Sequence, residues 1–312
     1  MTTVFPSDCA VCGGPMTAWS GTPVCTACVA QVGRQVGALC GICGEALGME
    51  SARFAAAMGV GVCTMCRLAP PDYTRAVAYG VFEDELREML HLLKYERVRR
   101  LASDTLGEWM AEAILLIAAD AGPELTVIAV PLFAARERQR GFNQSVVLAD
   151  AAIVRLKKLR PPWKLVASHR ALSRVRDTEA QFGLTPRARR RNLLGAFRVL
   201  EESVVRGKEV LLVDDIMTTG ATARECARVL MRAGAKKVWV ATLARAQAES
   251  FAGAEPGAGD VAMWDAVVEP RKPMSENPDM GHPSSVIPRE VVSHGVMARK
   301  VVEPDAGRRV KF

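Results

Sequence analysis

A run of thirteen residues, VLLVDDIMTTGAT at Val210–Thr222, constrains the fold of this chain more than any bulk property. Val210, Leu211, Leu212 and Val213 form an apolar strand, and Asp214 and Asp215 fall at its carboxyl end, where parallel sheets bind their ligands. The chain then turns into a helix. Thr218, Thr219, Gly220, Ala221 and Thr222 would aim consecutive backbone N–H groups and three hydroxyls at one point near that helix N-terminus. Such a cradle suits a phosphate dianion, and Gly220 lets the backbone come close to it. Carboxylates repel phosphate, so the acidic pair needs a different partner, and the vicinal hydroxyls of a ribose supply one. Cradle and hydroxyl acceptor together specify a sugar 5-phosphate. No G-x-x-x-x-G-K-[ST] loop occurs, and no G-x-G-x-x-G follows a strand. A plain strand–turn–helix with an N-cap explains one Asp or Thr, not the whole run.

The surrounding segment, 73–246, alternates helical and strand patterns. Glu83–Tyr95 reads as an amphipathic helix with Leu86, Met89, Leu90 and Leu93 on one face. Ala102–Ala119, Asn143–Leu159 and Ala221–Ala233 also read as helices. Leu125–Pro131, Gly195–Leu200, Glu209–Val213 and Lys237–Leu243 read as strands. This alternation predicts an α/β domain, a parallel sheet with flanking helices.

Cysteines set off residues 1–70. Eight of the nine lie there, all in C-x-x-C pairs, while Cys226 stands alone in a helical pattern. Four such pairs point to zinc rather than to disulfides or a redox motif. The pattern repeats: CxxCG then CTxC, twice. One site is expected from Cys9, Cys12, Cys25 and Cys28, the other from Cys40, Cys43, Cys63 and Cys66. Cross-braced pairing is the alternative. Four thiolates leave no open coordination position, so both zincs are expected to be structural. A segment this small would draw its folding energy from the metal.

Residues 247–312 hold seven of the seventeen prolines and no sustained period, and are expected to be disordered. VVEP occurs in this tail twice, at Val267–Pro270 and Val301–Pro304. The start of the chain carries no signal-peptide pattern, and no apolar run approaches the ~20 residues needed to span a bilayer. A soluble, cytoplasmic protein without membrane insertion is therefore expected. The net charge of +7 is concentrated in arginine clusters, Arg136–Arg138–Arg140 and Arg187–Arg191. These suit phosphate-bearing partners. His91 reads as structural, and His169, His282 and His294 have no evident partner.

The Val210–Thr222 run resembles the phosphoribosyl-pyrophosphate signature of type I phosphoribosyltransferases. A closer resemblance is to the ComF family of competence-associated proteins. It rests on RERQRGFNQS at Arg136–Ser145, LLKY at Leu92–Tyr95, the spread Gln181, Leu184, Arg187, Asn192, Gly195, Phe197, and the cysteine-rich N-terminus. It covers about residues 9–246. The resemblance implies a type I phosphoribosyltransferase-like sheet after a double zinc ribbon, binding 5-phosphoribosyl-1-pyrophosphate with magnesium. Asp214 and Asp215 would hold the ribose hydroxyls, and Thr218–Thr222 the 5-phosphate. The turn near Leu132–Ala135 would be the pyrophosphate loop, with one or more of Arg136, Arg138 and Arg140 neutralising that group. A mobile loop would fall at Arg174–Arg191, with Thr185-Pro186 opening a short helix. The activity implied is phosphoribosyl transfer to an unidentified acceptor. Two alternatives stand beside it: a non-catalytic regulator that binds phosphoribosyl pyrophosphate or a nucleotide, and a zinc-ribbon adaptor binding single-stranded DNA or a competence-machinery protein.

Overall fold

The computed structural model describes residues 8–16, 22–48, 52–53, 61–95, 99–159, 164–177 and 191–247. The expected helix at Thr185-Pro186, and the tail beyond Gln247, lie outside them.

Five strands make one parallel sheet: β1 (Arg75–Val81), β2 (Glu124–Ala129), β3 (Lys164–Ala167), β6 (Glu209–Met217) and β7 (Lys237–Arg245). They run in the order β1-β7-β6-β2-β3. From β2 the chain adds β3 on one side, then returns to place β6 on the other. β2 and β6 therefore flank the point where strand order reverses, and there the loops at the carboxyl ends diverge and open a crevice. A small antiparallel pair, β4 (Leu172–Arg174) and β5 (Phe197–Val199), stands apart.

The period-two alternation of the strands sorts the core into two layers. Leu211, Val213, Trp239 and Ala241 pack with helices α3 (Asp84–Tyr95), α4 (Gly107–Leu115) and α6 (Gln144–Leu159) on one face. Val210, Leu212, Val238 and Val240 pack with α7 (Ala221–Arg232) on the other. Between β2 and α6 lies a further short helix, α5 (Ala134–Arg140).

Several elements depart from the sequence reading. β1 carries no strong strand pattern because its sequence, RAVAYGV, is built largely of small residues. β3 and β4, at four and three residues, are too short for a period to show. α5 has no buried residue, so no apolar stripe announces it. The expected Ala102–Ala119 helix opens with a π-helical turn at Ala102–Leu106 and ends at Leu115. β6 runs four residues past Val213, because β7 keeps pairing with it through Asp214↔Thr242, Ile216↔Ala244 and Met217↔Arg245. The acidic pair thus sits inside the strand rather than beyond it. No described helix is long and apolar enough to cross a membrane.

Candidate functional site

The two cysteine repeats fold alike. Each begins with a tight loop closed by a glycine N–H onto the first cysteine carbonyl: Gly13 to Cys9 at 2.8 Å, and Gly44 to Cys40 at 2.9 Å. Both glycines adopt positive φ, +72° and +68°, as their place after the second thiol requires. Each repeat ends in a short helix, α1 (Thr26–Gln31) or α2 (Thr64–Leu68), whose third residue is the fourth cysteine. In each set the four sulfurs lie within 4.8 Å of one another: Cys9, Cys12, Cys25 and Cys28, then Cys40, Cys43, Cys63 and Cys66. The structure thus assembles the sequential pairing rather than the cross-braced one. All nine cysteines are free thiols. Sulfur separations of 3.9 Å for Cys9–Cys28, 3.8 Å for Cys12–Cys25 and 3.7 Å for Cys43–Cys63 rule out disulfides. They match the edge of a tetrahedron with zinc–sulfur bonds of about 2.3 Å, roughly 3.8 Å. Burial works against ionising Cys9, but backbone N–H groups of Cys12, Cys25 and Val11 outweigh it and lower its thiol to about 6. Hydrogen bonds from Cys43 and Cys66 likewise pull Cys40 down.

Asp214 and Asp215 are held from two helices. Lys94, in the last turn of α3, places Nζ 2.7 Å from Asp215 Oδ2, with side chains only 13% and 7% exposed. From the start of α6, Gln144 Nε2 donates to the same oxygen at 3.4 Å, and Ser145 Oγ donates to Asp214 Oδ1 at 2.9 Å. Asn143 fixes that helix start. Its Oδ1 caps the Ser145 N–H and its Nδ2 donates to the Val130 carbonyl at the end of β2, both at 2.9 Å. Arg140 Nη1 orients Gln144 at 3.2 Å, and its guanidinium lies 5.3 Å from the Tyr95 ring centre. LLKY and RGFNQS therefore meet at the acidic pair. The two carboxyls titrate apart. Burial and the neighbouring Asp215 charge raise Asp214 to about 8. For Asp215 burial is outweighed by Lys94 and then Arg140, and its carboxyl is held down as the ionised partner.

Beyond the pair, Gly220 takes φ +71° as the N-cap of α7. A Cβ there would stand 2.7 Å from Met217 Cε, the movable end of a flexible side chain, so it is the left-handed backbone that calls for glycine. Asp214, Thr218, Gly220, Ala221 and Thr222 line a small open pocket at β6 and β7. Thr219 Oγ1 is buried and, among the described residues, has no hydrogen-bond partner.

The three arginines of α5 separate by position. Arg138 is exposed, whereas Arg136 and Arg140 are half-buried. Arg140 faces Asp215. Arg136 lies close to Arg174, whose guanidinium is depressed by burial and then by the Arg136 charge, against a smaller opposing pull from Asp214. His169, which the sequence leaves unpaired, accepts the Ala129 N–H on Nδ1 and meets Asp150 through Nε2, each at 3.1 Å. Cys226 is wholly buried in the core, and His91 packs on the Tyr95 ring. Sequence reasoning missed Lys94, Gln144 and Ser145 as site residues. Lys94 was detectable: it continues the Leu86, Leu90 stripe at i+4 spacing, and a cation on a buried stripe calls for a carboxylate.

A parallel sheet reversing its order at β2 and β6, with an acidic pair and a glycine turn at that crevice, defines a phosphoribosyltransferase-like protein. Comparison with known proteins agrees. The sequence model of the phosphoribosyl transferase domain matches residues 126–253. DNA utilization protein YhgH of Salmonella typhi is 33% identical over 242 residues, covering 77% of this chain and 97% of that protein. Competence protein F of Haemophilus influenzae is 27% identical over 232 residues, covering 72% and 90%. The chain belongs to the ComF family of phosphoribosyltransferase-like competence proteins. A hypoxanthine phosphoribosyltransferase of Staphylococcus aureus superimposes with TM-score 0.30 at 14% identity, over 47% of this chain and 69% of that one. The fold assignment rests on strand order rather than on so partial a superposition.

Proposed function

We propose that this chain is a cytoplasmic protein that binds 5-phosphoribosyl-1-pyrophosphate and transfers its phosphoribosyl group to an acceptor. The observation that carries this reading is the acidic pair, held by Lys94, Gln144 and Ser145 beside a pocket whose rim is the glycine turn. The turn from Thr218 to Thr222 receives the 5-phosphate, and the unpartnered Thr219 hydroxyl is a ready donor. Asp214 and Asp215 accept the ribose hydroxyls. Arg136 and Arg174, two like charges held close, suit the pyrophosphate, which would relieve their repulsion. Displacement at the anomeric carbon releases that pyrophosphate while positive charge builds on the ring, and the carboxylate of Asp215 stabilises it. Magnesium supplies charge neutralisation of the leaving group. Among the described residues the only clusters of three or more metal-ligating side chains are the two cysteine sets, so the ligand's own oxygens would carry the magnesium. Zinc held by each cysteine set would be structural, since the four thiolates would leave no position for water or substrate. We take residues 1–70 as the zinc region, 73–246 as the transferase-like domain and 247–312 as the tail.

Phosphorus NMR of the pyrophosphorylated sugar with the zinc-loaded protein and magnesium tests this reading. Broadened ligand signals, followed by free pyrophosphate when amines or bases are added, are expected. Broadening without release would leave a sensor, and sharp signals throughout would remove the ligand.

A second reading has support in the relatives' names. A DNA-handling protein would use the exposed Arg138 and the zinc region on phosphates, and its partner would be single-stranded DNA or a competence-machinery protein. Binding of single-stranded DNA that weakens steeply with salt is its signature.

A further inference from the structure

Arg245 ends β7 with its side chain only 5% exposed. Its guanidinium joins two parts of the molecule. Toward the second cysteine set, Nε donates to the Cys43 carbonyl at 3.2 Å and Nη2 meets Glu45 Oε2 at 3.4 Å. Toward the phosphate turn, Nη1 donates to the carbonyls of Met217 and Thr218, and to that of Ala246 at 2.7 Å. Met217 and Thr218 are where β6 gives way to the turn. A second strap runs in parallel. Arg224, in the first turn of α7, donates through Nη1 to the Ala69 carbonyl at 2.6 Å and places Nη2 3.7 Å from Cys66 Sγ. Tyr73 fills the space between, its hydroxyl 3.7 Å from where a Gly220 Cβ would stand.

Each strap uses a different half of the cysteine set. Arg245 grips the loop of Cys40 and Cys43, and Arg224 grips the helix of Cys63 and Cys66. The four sulfurs close those halves on each other, beside one backbone bond from the Gly41 N–H to the Gly61 carbonyl at 2.8 Å. A buried guanidinium keeps its charge and needs every donor matched, so it transmits position stiffly.

We propose that the second cysteine set presets the phosphate turn, with Arg245 as the positioning residue and Arg224 as its support. Metal at Cys40, Cys43, Cys63 and Cys66 thereby governs affinity for the ribose phosphate, a consequence that rests on the ligand proposed above. The first set shares a buried apolar cluster with α3.

Amide hydrogen exchange of the zinc-loaded full chain without ligand tests the coupling directly. Arg245→Lys keeps the charge but not the fork, and is expected to speed exchange across Met217–Thr222 by roughly tenfold while α3 keeps its wild-type rate. Arg224→Met, at a half-buried site, gives a smaller rise in the same segment and serves if Arg245→Lys does not fold. Stripping the metal is expected to speed the wild-type turn and to add little in Arg245→Lys. Wild-type exchange at the turn in both folded variants would overturn the proposal, and so would an equal rise on stripping in wild type and Arg245→Lys. Affinity for phosphoribosyl pyrophosphate is measured on the same samples, with Arg245→Lys expected to bind roughly tenfold more weakly, about 1.4 kcal/mol. A wild type that binds nothing would remove the ligand and leave the exchange result standing. Undiminished affinity beside a faster turn would remove the positioning role.

Discussion

The first cysteine set lies on the sheet face that carries α3, α4 and α6, with Cys9 and Cys28 in one buried cluster with Tyr79, Leu86 and Met89. The second lies on the face of α7, its four cysteines in one buried cluster with Tyr73, Met217 and Ala223. Repetition of one sequence unit has thus covered both layers of the domain. The contacts differ in kind. The first set steadies α3, whose last turn delivers Lys94 to Asp215. The second is hydrogen-bonded, through arginines, to the turn that follows the acidic pair. Burial differs too: all four cysteines of the second set are buried, whereas Cys12 is exposed and Cys25 half-buried in the first. One duplicated unit can therefore serve as a packing surface on one side and as a rigid mount on the other.

The largest expected effect separates the two sets directly. Structural zinc supplies on the order of 10 kcal/mol, so Cys66→Ser should lose several kcal/mol of stability in urea unfolding. Cys12→Ser, at an exposed ligand that water can replace, should lose less. The reverse ranking would break the comparison. Lys94→Met tests the α3 side. It leaves a buried carboxylate unpaired and should cost about 3 kcal/mol, most of it recovered in Lys94→Met/Asp215→Asn. An equal loss in the double variant would mean that the ion pair does not carry the effect. Metal release to a chromogenic chelator should come in two phases, the exposed first set ahead of the buried second; one phase would mean that burial does not control access. A pH-dependent effect lies between the sets, at Asp214. With its carboxyl raised from 3.8 to about 8, the folded protein keeps a proton that the unfolded chain releases. This group therefore contributes stability below pH of about 4 and loses it as pH rises toward about 8. Urea midpoints of wild type and Asp214→Asn should diverge across that window, with the wild type falling, and a constant difference would contradict the assignment.

Much of this arrangement was legible in the sequence because short-range chemistry dictates it. The repeated cysteine unit points to two sequential ligand sets, with cross-bracing left open until the fold brings the sulfurs together, and Val210–Thr222 carries a strand, an acidic pair and a glycine turn. The expected strand at Lys237–Leu243 also forms, two residues longer, since its apolar run is covered on both faces. What escaped depends on distant partners. β1 is a strand because β7 pairs with it, not because RAVAYGV insists on it. α5 is polar all round and borrows its place from the loop before it. Arg245 looks like any strand-ending arginine until Cys43 and Met217, roughly 200 and 28 residues away, are brought to it.

The central claim, that the acidic pair and turn bind a phosphoribosyl ligand, is tested most directly by calorimetric titration. The zinc-loaded chain would be titrated with phosphoribosyl pyrophosphate and magnesium, beside Asp214→Asn/Asp215→Asn shown by circular dichroism to be folded. Saturable heat with a dissociation constant of order micromolar, about −8 kcal/mol, lost in the double variant, is the expected result. No heat from the folded wild type, or equal heat from the variant, would contradict it.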